Sequence, residues 1–180
     1  MTTIEGLTPG VWKIDPAHTT AEFTVRHLMV TKVRGRFTDT SGTVTIAEDP
    51  LKSSVDVTIT TASISTGEET RDNHLRSKDF LDVETYPTMT FTSTGLSGKG
   101  SDYTVKGNLT LHGVTQPVEL AVEFNGVSGD PWGGTRAGFS AETEINRRDF
   151  GVDISMPLDG GGVVVGDKIK IQIEAEVIKS

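Results

Sequence analysis

The sequence predicts an all-β domain, an antiparallel barrel of about eight or nine strands with a short helical segment near residues 66–82. Apolar and polar residues alternate with a period of two through nearly every extended stretch, the mark of strands with one buried face. Gly, Pro, Asn or Asp separates most of these stretches and supplies the turns. The strands are long, several reaching about ten residues, and closing them into a barrel removes edges that a two-sheet sandwich would leave open. A polar outer parity fits antiparallel pairing, because parallel sheets need near-continuous apolar runs and crossover helices.

The elements follow in order. Ala21, Phe23, Val25 and His27 share one parity, and Thr20, Glu22, Thr24 and Arg26 the other. Residues 33–37, Val44/Ile46 and Val55/Val57/Ile59 continue the pattern. Residues 65–82 break it: Thr66-Gly67-Glu68-Glu69 has capping-box spacing, and its two glutamates suit a helix N-terminus. A short helix is expected there to about Leu75, with a further turn from Ser77 or Lys78 carrying Phe80 and Leu81. It either plugs one barrel end or packs outside as a crossover. Tyr86-Pro87 returns the chain to extended backbone.

Met89/Phe91, Val105 with Leu109/Leu111, and Val118/Leu120/Val122/Phe124 give the next strands, followed by Ala137/Phe139/Ala141/Ile145. In the last, Ile169, Ile171, Ile173, Ala175 and Val177 alternate with charged or amide residues, so a one-residue slip would expose the whole apolar row. Residues 126–134 and the glycine run at 160–162 read as turns.

At 180 residues the chain fits one domain, read as an N-terminal extension at 1–10 and a barrel at 11–180. A net charge of −8 and a pI near 5.0 oppose nucleic acid and anionic lipid headgroups, and no Lys/Arg block locally reverses that sign. With no cysteine, disulfides and thiolate chemistry are excluded. No stretch approaches the roughly 18 apolar residues of a spanning helix, so stable membrane insertion is not expected. Residues 1–10 lack a basic and apolar signal pattern, which points to the cytoplasm, or to the periplasm if a signal has been trimmed. A homodimer stays open.

Four histidines, His18, His27, His74 and His112, are candidates for metal or general-base work, but none has chelating spacing and no His-Glu-x-x-His occurs. His27 shares the inward parity near a strand end, either addressing a ligand headgroup or bonded to backbone. His112 reads as a turn residue. Arg71, Asp72 and His74 lie close enough to present a cation, a carboxylate and an imidazole to one opening, or to anchor the helix by charge-assisted hydrogen bonds. Arg147-Arg148-Asp149 carries the same two readings, weighted to structure, and Arg34 and Arg36 fall on the outer face. Gly-x-Ser-x-Gly and the phosphate-binding glycine motifs are absent.

Several islands carry a resemblance: Trp12-Lys13-Ile14-Asp15-Pro16-Ala17-His18, Phe23-Thr24-Val25-Arg26-His27-Leu28, Ser63-Ile64-Ser65-Thr66 and Arg71-Asp72-Asn73-His74-Leu75. Asp79-Phe80, Tyr86-Pro87, Gly107-Asn108-Leu109-Thr110-Leu111-His112-Gly113-Val114-Thr115 and Arg148-Asp149-Phe150-Gly151 follow. In this order they resemble the YceI-like family of polyisoprenoid-binding proteins. The resemblance implies an antiparallel eight-stranded lipocalin-like barrel enclosing an isoprenoid tail, with quinone, polyprenyl-phosphate or fatty-amide lipids as the ligand class. Many bacterial members carry an export signal, which residues 1–10 do not show.

The expected function is therefore binding of a long-chain apolar molecule, for transport, storage or scavenging, with no catalytic residue, metal or cofactor. Phe23, Val25, Leu75 and Phe80 are candidates to line the ligand chamber, together with Met89, Phe91, Leu109, Leu111 and Phe139. His27, Arg71, Asp72 and His74 are candidates for its rim. Each buried CH₂ contributes roughly 0.8 kcal/mol, so a tail of several isoprene units offsets the cost of fixing it. Two alternatives are a metal-dependent enzyme with converging histidines and an interaction module with a filled barrel.

Overall fold

Alternation along the sequence becomes one continuous antiparallel sheet in the computed structural model, which describes residues 6–28, 30–154 and 165–180. Its strands are β1 (Gly10–Ile14), β2 (Thr20–His27), β3 (Thr31–Phe37), β4 (Thr40–Ile46), β5 (Ser54–Thr60) and β6 (Ile64–Ser65). After helix α1 (Glu69–Arg76) come β7 (Thr88–Lys99), β8 (Asp102–Leu111), β9 (Val114–Gly129), β10 (Thr135–Asn146) and β11 (Val165–Lys179).

Eight of these close a ring in the order β1-β4-β5-β7-β8-β9-β10-β11, completed where Trp12 of β1 pairs with Lys179 of β11. This is a closed barrel, the architecture preferred from the alternation, and its eight ring strands agree with the count that the resemblance implies. The other half of β11 pairs with β2, Ile169 opposite Val25, and the sheet continues outside the ring through β3 to the two-residue β6. β1 and β2 thus follow one another along β11. A 3₁₀ turn at Pro16–His18 separates them, with the Asp15 carboxylate accepting from the Ala17 N–H.

Register fixes the two barrel ends. His27 lies opposite Val165 where β11 begins, and the β8–β9 turn, Leu111 opposite Val114, sits at the same end. At the other end Leu7, Trp12, Ile46, Ala137 and Val177 form a buried cluster. The larger cluster, with Met89, Phe91, Leu109, Leu111 and Phe150, occupies the body of the barrel. Close approach explains one buried glycine: a Cβ on Gly35 would stand 2.3 Å from Cζ of Phe23, whose ring covers it.

α1 is shorter than the expected segment and its cap differs. Glu68, not Thr66, is the N-cap, its carboxylate accepting from the N–H groups of Thr70 and Arg71. Thr66 cannot serve as the cap because its N–H and hydroxyl both donate to the Asp72 carboxylate, at 2.8 and 2.5 Å. The next turn forms as expected, the Phe80 N–H donating to the Ser77 carbonyl. Of the two placements open for the helix, the structure sets Leu75, Phe80 and Leu81 facing the barrel interior, with Arg76 donating to the carbonyls of Ala62 and Ile64.

The turn expected over residues 126–134 is narrower. β9 runs on to Gly129, and only Asp130 to Gly134 form the turn, closed by Asp130 Oδ1 accepting from the N–H of Trp132 and of Gly134. Glycine at 126 and 138 fits a ladder whose register shifts between Gly138 and Phe139. The glycine run at 160–162 lies outside the described residues.

Candidate functional site

Inward positions on the ring strands are mostly apolar, and the barrel encloses a cavity of about 290 Å³. That lies at the lower edge of the roughly 300–1,000 Å³ typical of small-molecule sites. Its wall is formed by Val57 and Ile59 of β5, Val118 to Phe124 of β9 at alternate positions, and Ile169, Ile171 and Ile173 of β11. An interior of this chemistry stays dry and accepts hydrocarbon.

Nine of the thirteen sequence candidates line the cavity. Phe23 and Val25 come from β2, Leu75 and Phe80 from the helical segment, and Met89 and Phe91 from β7. Leu109 and Leu111 of β8 and Phe139 of β10 complete them. The four polar candidates are not on its wall. His27 is half-buried at the end of β2. Arg71 donates through Nε to Thr66 Oγ1 at 2.7 Å and through Nη2 to the Thr66 carbonyl at 3.0 Å. That hydroxyl in turn donates to the buried Asp72, so Arg71 and Asp72 clamp the loop before α1. His74 Nε2 meets Asp79 Oδ2 at 2.9 Å, and its ring stands edge-on to Phe80 at 5.0 Å between centroids.

Several polar residues on the wall, among them Thr19, Thr40, Ser53, Thr143 and Arg147, escaped the sequence reading as ligand candidates, and Thr40 and Arg147 are the most buried of them. Thr40 is 5% exposed and its hydroxyl has no hydrogen-bond partner among the described residues. The parity Thr40, Gly42, Val44, Ile46 was the signal that places it inward. Arg147 is 2% exposed. Its Nη1 donates to the Val152 carbonyl at 2.7 Å, its Nε to the Gly166 carbonyl at 3.1 Å, and its Nη2 lies 3.3 Å from Asp167 Oδ1. Burial, then the neighbouring Arg148, pushes the Arg147 guanidinium below the ordinary arginine pKa. It continues the inward row of β10 past Ile145.

His18, His74 and His112 stay with separate partners, and among the described residues one cluster has metal-ligating composition, Asp15, His18 and Glu176. His112 occupies the β8–β9 turn in the left-handed region, φ 55°, against the Tyr86 ring. In the Asp15 cluster Arg136 already supplies the positive charge, Nη1 lying 2.6 Å from Asp15 and 3.6 Å from Glu176, with Nε 3.1 Å from Asp130. Hydrogen bonds from His18 and then Arg136 hold the Asp15 carboxyl at about 2, below its ordinary 3.8. The cluster joins β10, β11 and the break between β1 and β2, outside the cavity.

A closed antiparallel barrel around a dry apolar chamber defines a lipocalin-like architecture. Residues 12–177 match the YceI-like domain, and the chain belongs to that family. It is 45% identical to Protein YceI of Escherichia coli O17:K52:H18 over 144 residues, covering 78% of this chain and 75% of that protein. Protein YceI of Salmonella newport is 44% identical over the same shares.

Among solved structures, a Campylobacter jejuni YceI protein superposes with a TM-score of 0.73 at 32% identity, covering 86% of this chain and 90% of that one. Burkholderia cenocepacia BcnA gives 0.79 at 23% identity over 91% and 98%. A polyisoprenoid-binding domain of Saccharophagus degradans, implicated in plant cell wall breakdown, gives 0.72 at 16% identity over 96% and 100%. The last two share the fold. Among the described residues no helix is long and apolar enough to cross a membrane.

Proposed function

We propose that this chain binds one long-chain isoprenoid lipid, such as an isoprenoid quinone or polyprenyl phosphate, inside the barrel, and carries, stores or scavenges it without chemical change. The observation that carries this reading is the 290 Å³ cavity walled mainly by Val, Ile, Leu, Met and Phe. Such a wall rewards each CH₂ of a tail by roughly 0.8 kcal/mol and needs no catalytic group. The name of the Saccharophagus domain points to the same ligand class.

Within this reading the orphan hydroxyl of Thr40 is the hydrogen-bond partner for a polar atom of the ligand, because a buried hydroxyl left alone is costly. Arg71 and Asp72 act indirectly, by holding the helical segment whose Leu75 and Phe80 face the tail. The open cavity also weighs against the filled-barrel alternative.

Native mass spectrometry after gentle purification tests the proposal. The expected spectrum shows a mass increment that solvent extraction identifies as a prenyl lipid. A protein that emerges empty and takes up no prenyl or acyl lipid on incubation overturns it.

A further inference from the structure

The β2–β3 hairpin stands outside the closed ring, and its tip and outer face are chemically unlike the rest of the molecule. Hairpin turns are normally built from Gly, Asn and Asp. Here the chain instead places Leu28 and Val30 at the tip, 38% and 77% exposed, with Met29 between them in sequence. Leu28 adopts φ 54°, a left-handed conformation that disfavours a branched apolar side chain. The turn is nevertheless formed, the Val30 N–H and Thr31 hydroxyl both donating to the His27 carbonyl.

Behind this tip lies a field of cations. Pairing sets Arg26 opposite Lys32 and Thr24 opposite Arg34, while Lys170 of β11 lies on the other side of Thr24. Arg36 completes the row on β3, and all five are exposed. None of the five is in an ion pair among the described residues. The carboxylates at its border are Glu22, opposite Arg36, Glu144, opposite Lys170, and Asp167, in the irregular start of β11 beside Arg26 but held by Arg147 and Arg148. In a chain of net charge −8 this is a local reversal of sign. It corrects the expectation that no basic patch opposes anionic headgroups: the cations alternate along β3 and gather only when three strands lie side by side.

We infer that the β2–β3 hairpin is a docking site for an anionic bilayer surface, Leu28 and Val30 entering the interface while Arg26, Lys32, Arg34, Arg36 and Lys170 meet the headgroups. An apolar tip backed by exposed cations fits a lipid surface better than a polyanion, which has nowhere to receive Val30. Docking is peripheral and reversible, since two side chains and a few charges fall far short of a spanning segment. The inner face of the same hairpin, Phe23 and Val25, is cavity wall, so docking brings the chamber to the membrane. This inference does not depend on what occupies the chamber.

The cysteine-free chain allows a single-site test. An environment-sensitive dye is placed on Thr31→Cys and, as a control, on the exposed Glu123→Cys of β9, and each protein is titrated with vesicles. With phosphatidylcholine vesicles containing one third phosphatidylglycerol, the Thr31→Cys dye shifts to the blue. Neither dye shifts with phosphatidylcholine alone, and the Glu123→Cys dye never does. K32A/R34A lowers the vesicle partition coefficient about 25-fold, taking roughly fivefold per cation near an anionic surface. Val30→Asp, at a side chain with few packing contacts to lose, abolishes the shift. No shift, equal shifts from both dyes, or a Val30→Asp protein that binds vesicles undiminished would overturn the inference. The last outcome, together with retention on heparin, would identify a polyanion site instead.

Discussion

Arg147 Nη1 donates to the carbonyl of Val152 at 2.7 Å inside the barrel, five residues along the same chain, and both residues border the cavity. The guanidinium is thus a buried bracket: it ties the end of β10 and the 3₁₀ turn at Arg147–Phe150 to the start of β11. A methionine of similar length would leave those carbonyls without a donor. Arg147→Met is expected to cost about 3 kcal/mol of unfolding free energy in urea titrations.

Thr40 is the opposite case, a buried hydroxyl with no hydrogen-bond partner among the described residues. Thr40→Val removes the unsatisfied group with little change of shape. The ligand-free protein should gain about 1 kcal/mol in chemical denaturation. Discrimination between a prenyl alcohol and the matching hydrocarbon should narrow in competition assays.

Asp15 gives the protein an acid limit. Its folded pKa of about 2 lies below the ordinary 3.8, so its contribution is complete above 3.8 and is lost as pH falls towards 2. Across pH 5 to 2 the wild type should lose more stability than Asp15→Asn, which has no carboxylate to protonate. Thermal midpoints recorded at each pH make the comparison.

Filling the chamber separates space from stability. Ala141 points into the cavity from β10, and the void can receive a larger ring there. Ala141→Phe should change stability by less than about 1.5 kcal/mol while reducing uptake of prenyl lipid at least tenfold by native mass spectrometry. A variant that binds the lipid undiminished would place the ligand elsewhere.

Much of the wall was readable from parity alone. Ile169 to Val177 and Val118 to Phe124 alternate so strictly that one face had to turn inward, and the structure has both rows on the cavity. What parity could not show was which polar groups meet across gaps in the sequence. Arg71 and Asp72 both find Thr66, a partner that the capping-box spacing had assigned to the helix end. Thr40 carried the right parity, but threonine suits either face of a strand, so its burial was decided by β5 across the sheet. The basic field on the β2–β3 hairpin was hidden for the same reason, since Lys170 is remote in sequence from Thr24, which it lies beside.

One strand, β11, holds β10 along its length, β2 along its first half and β1 along its last turns. Every other ring contact can form between strands that are near one another in the chain. The circle therefore stays an open ribbon during synthesis until residues 165–179 have left the ribosome. Until then Trp12 and the inner faces of β1 and β10 lack their final cover, and that interval is when the nascent chain most needs protection from its neighbours.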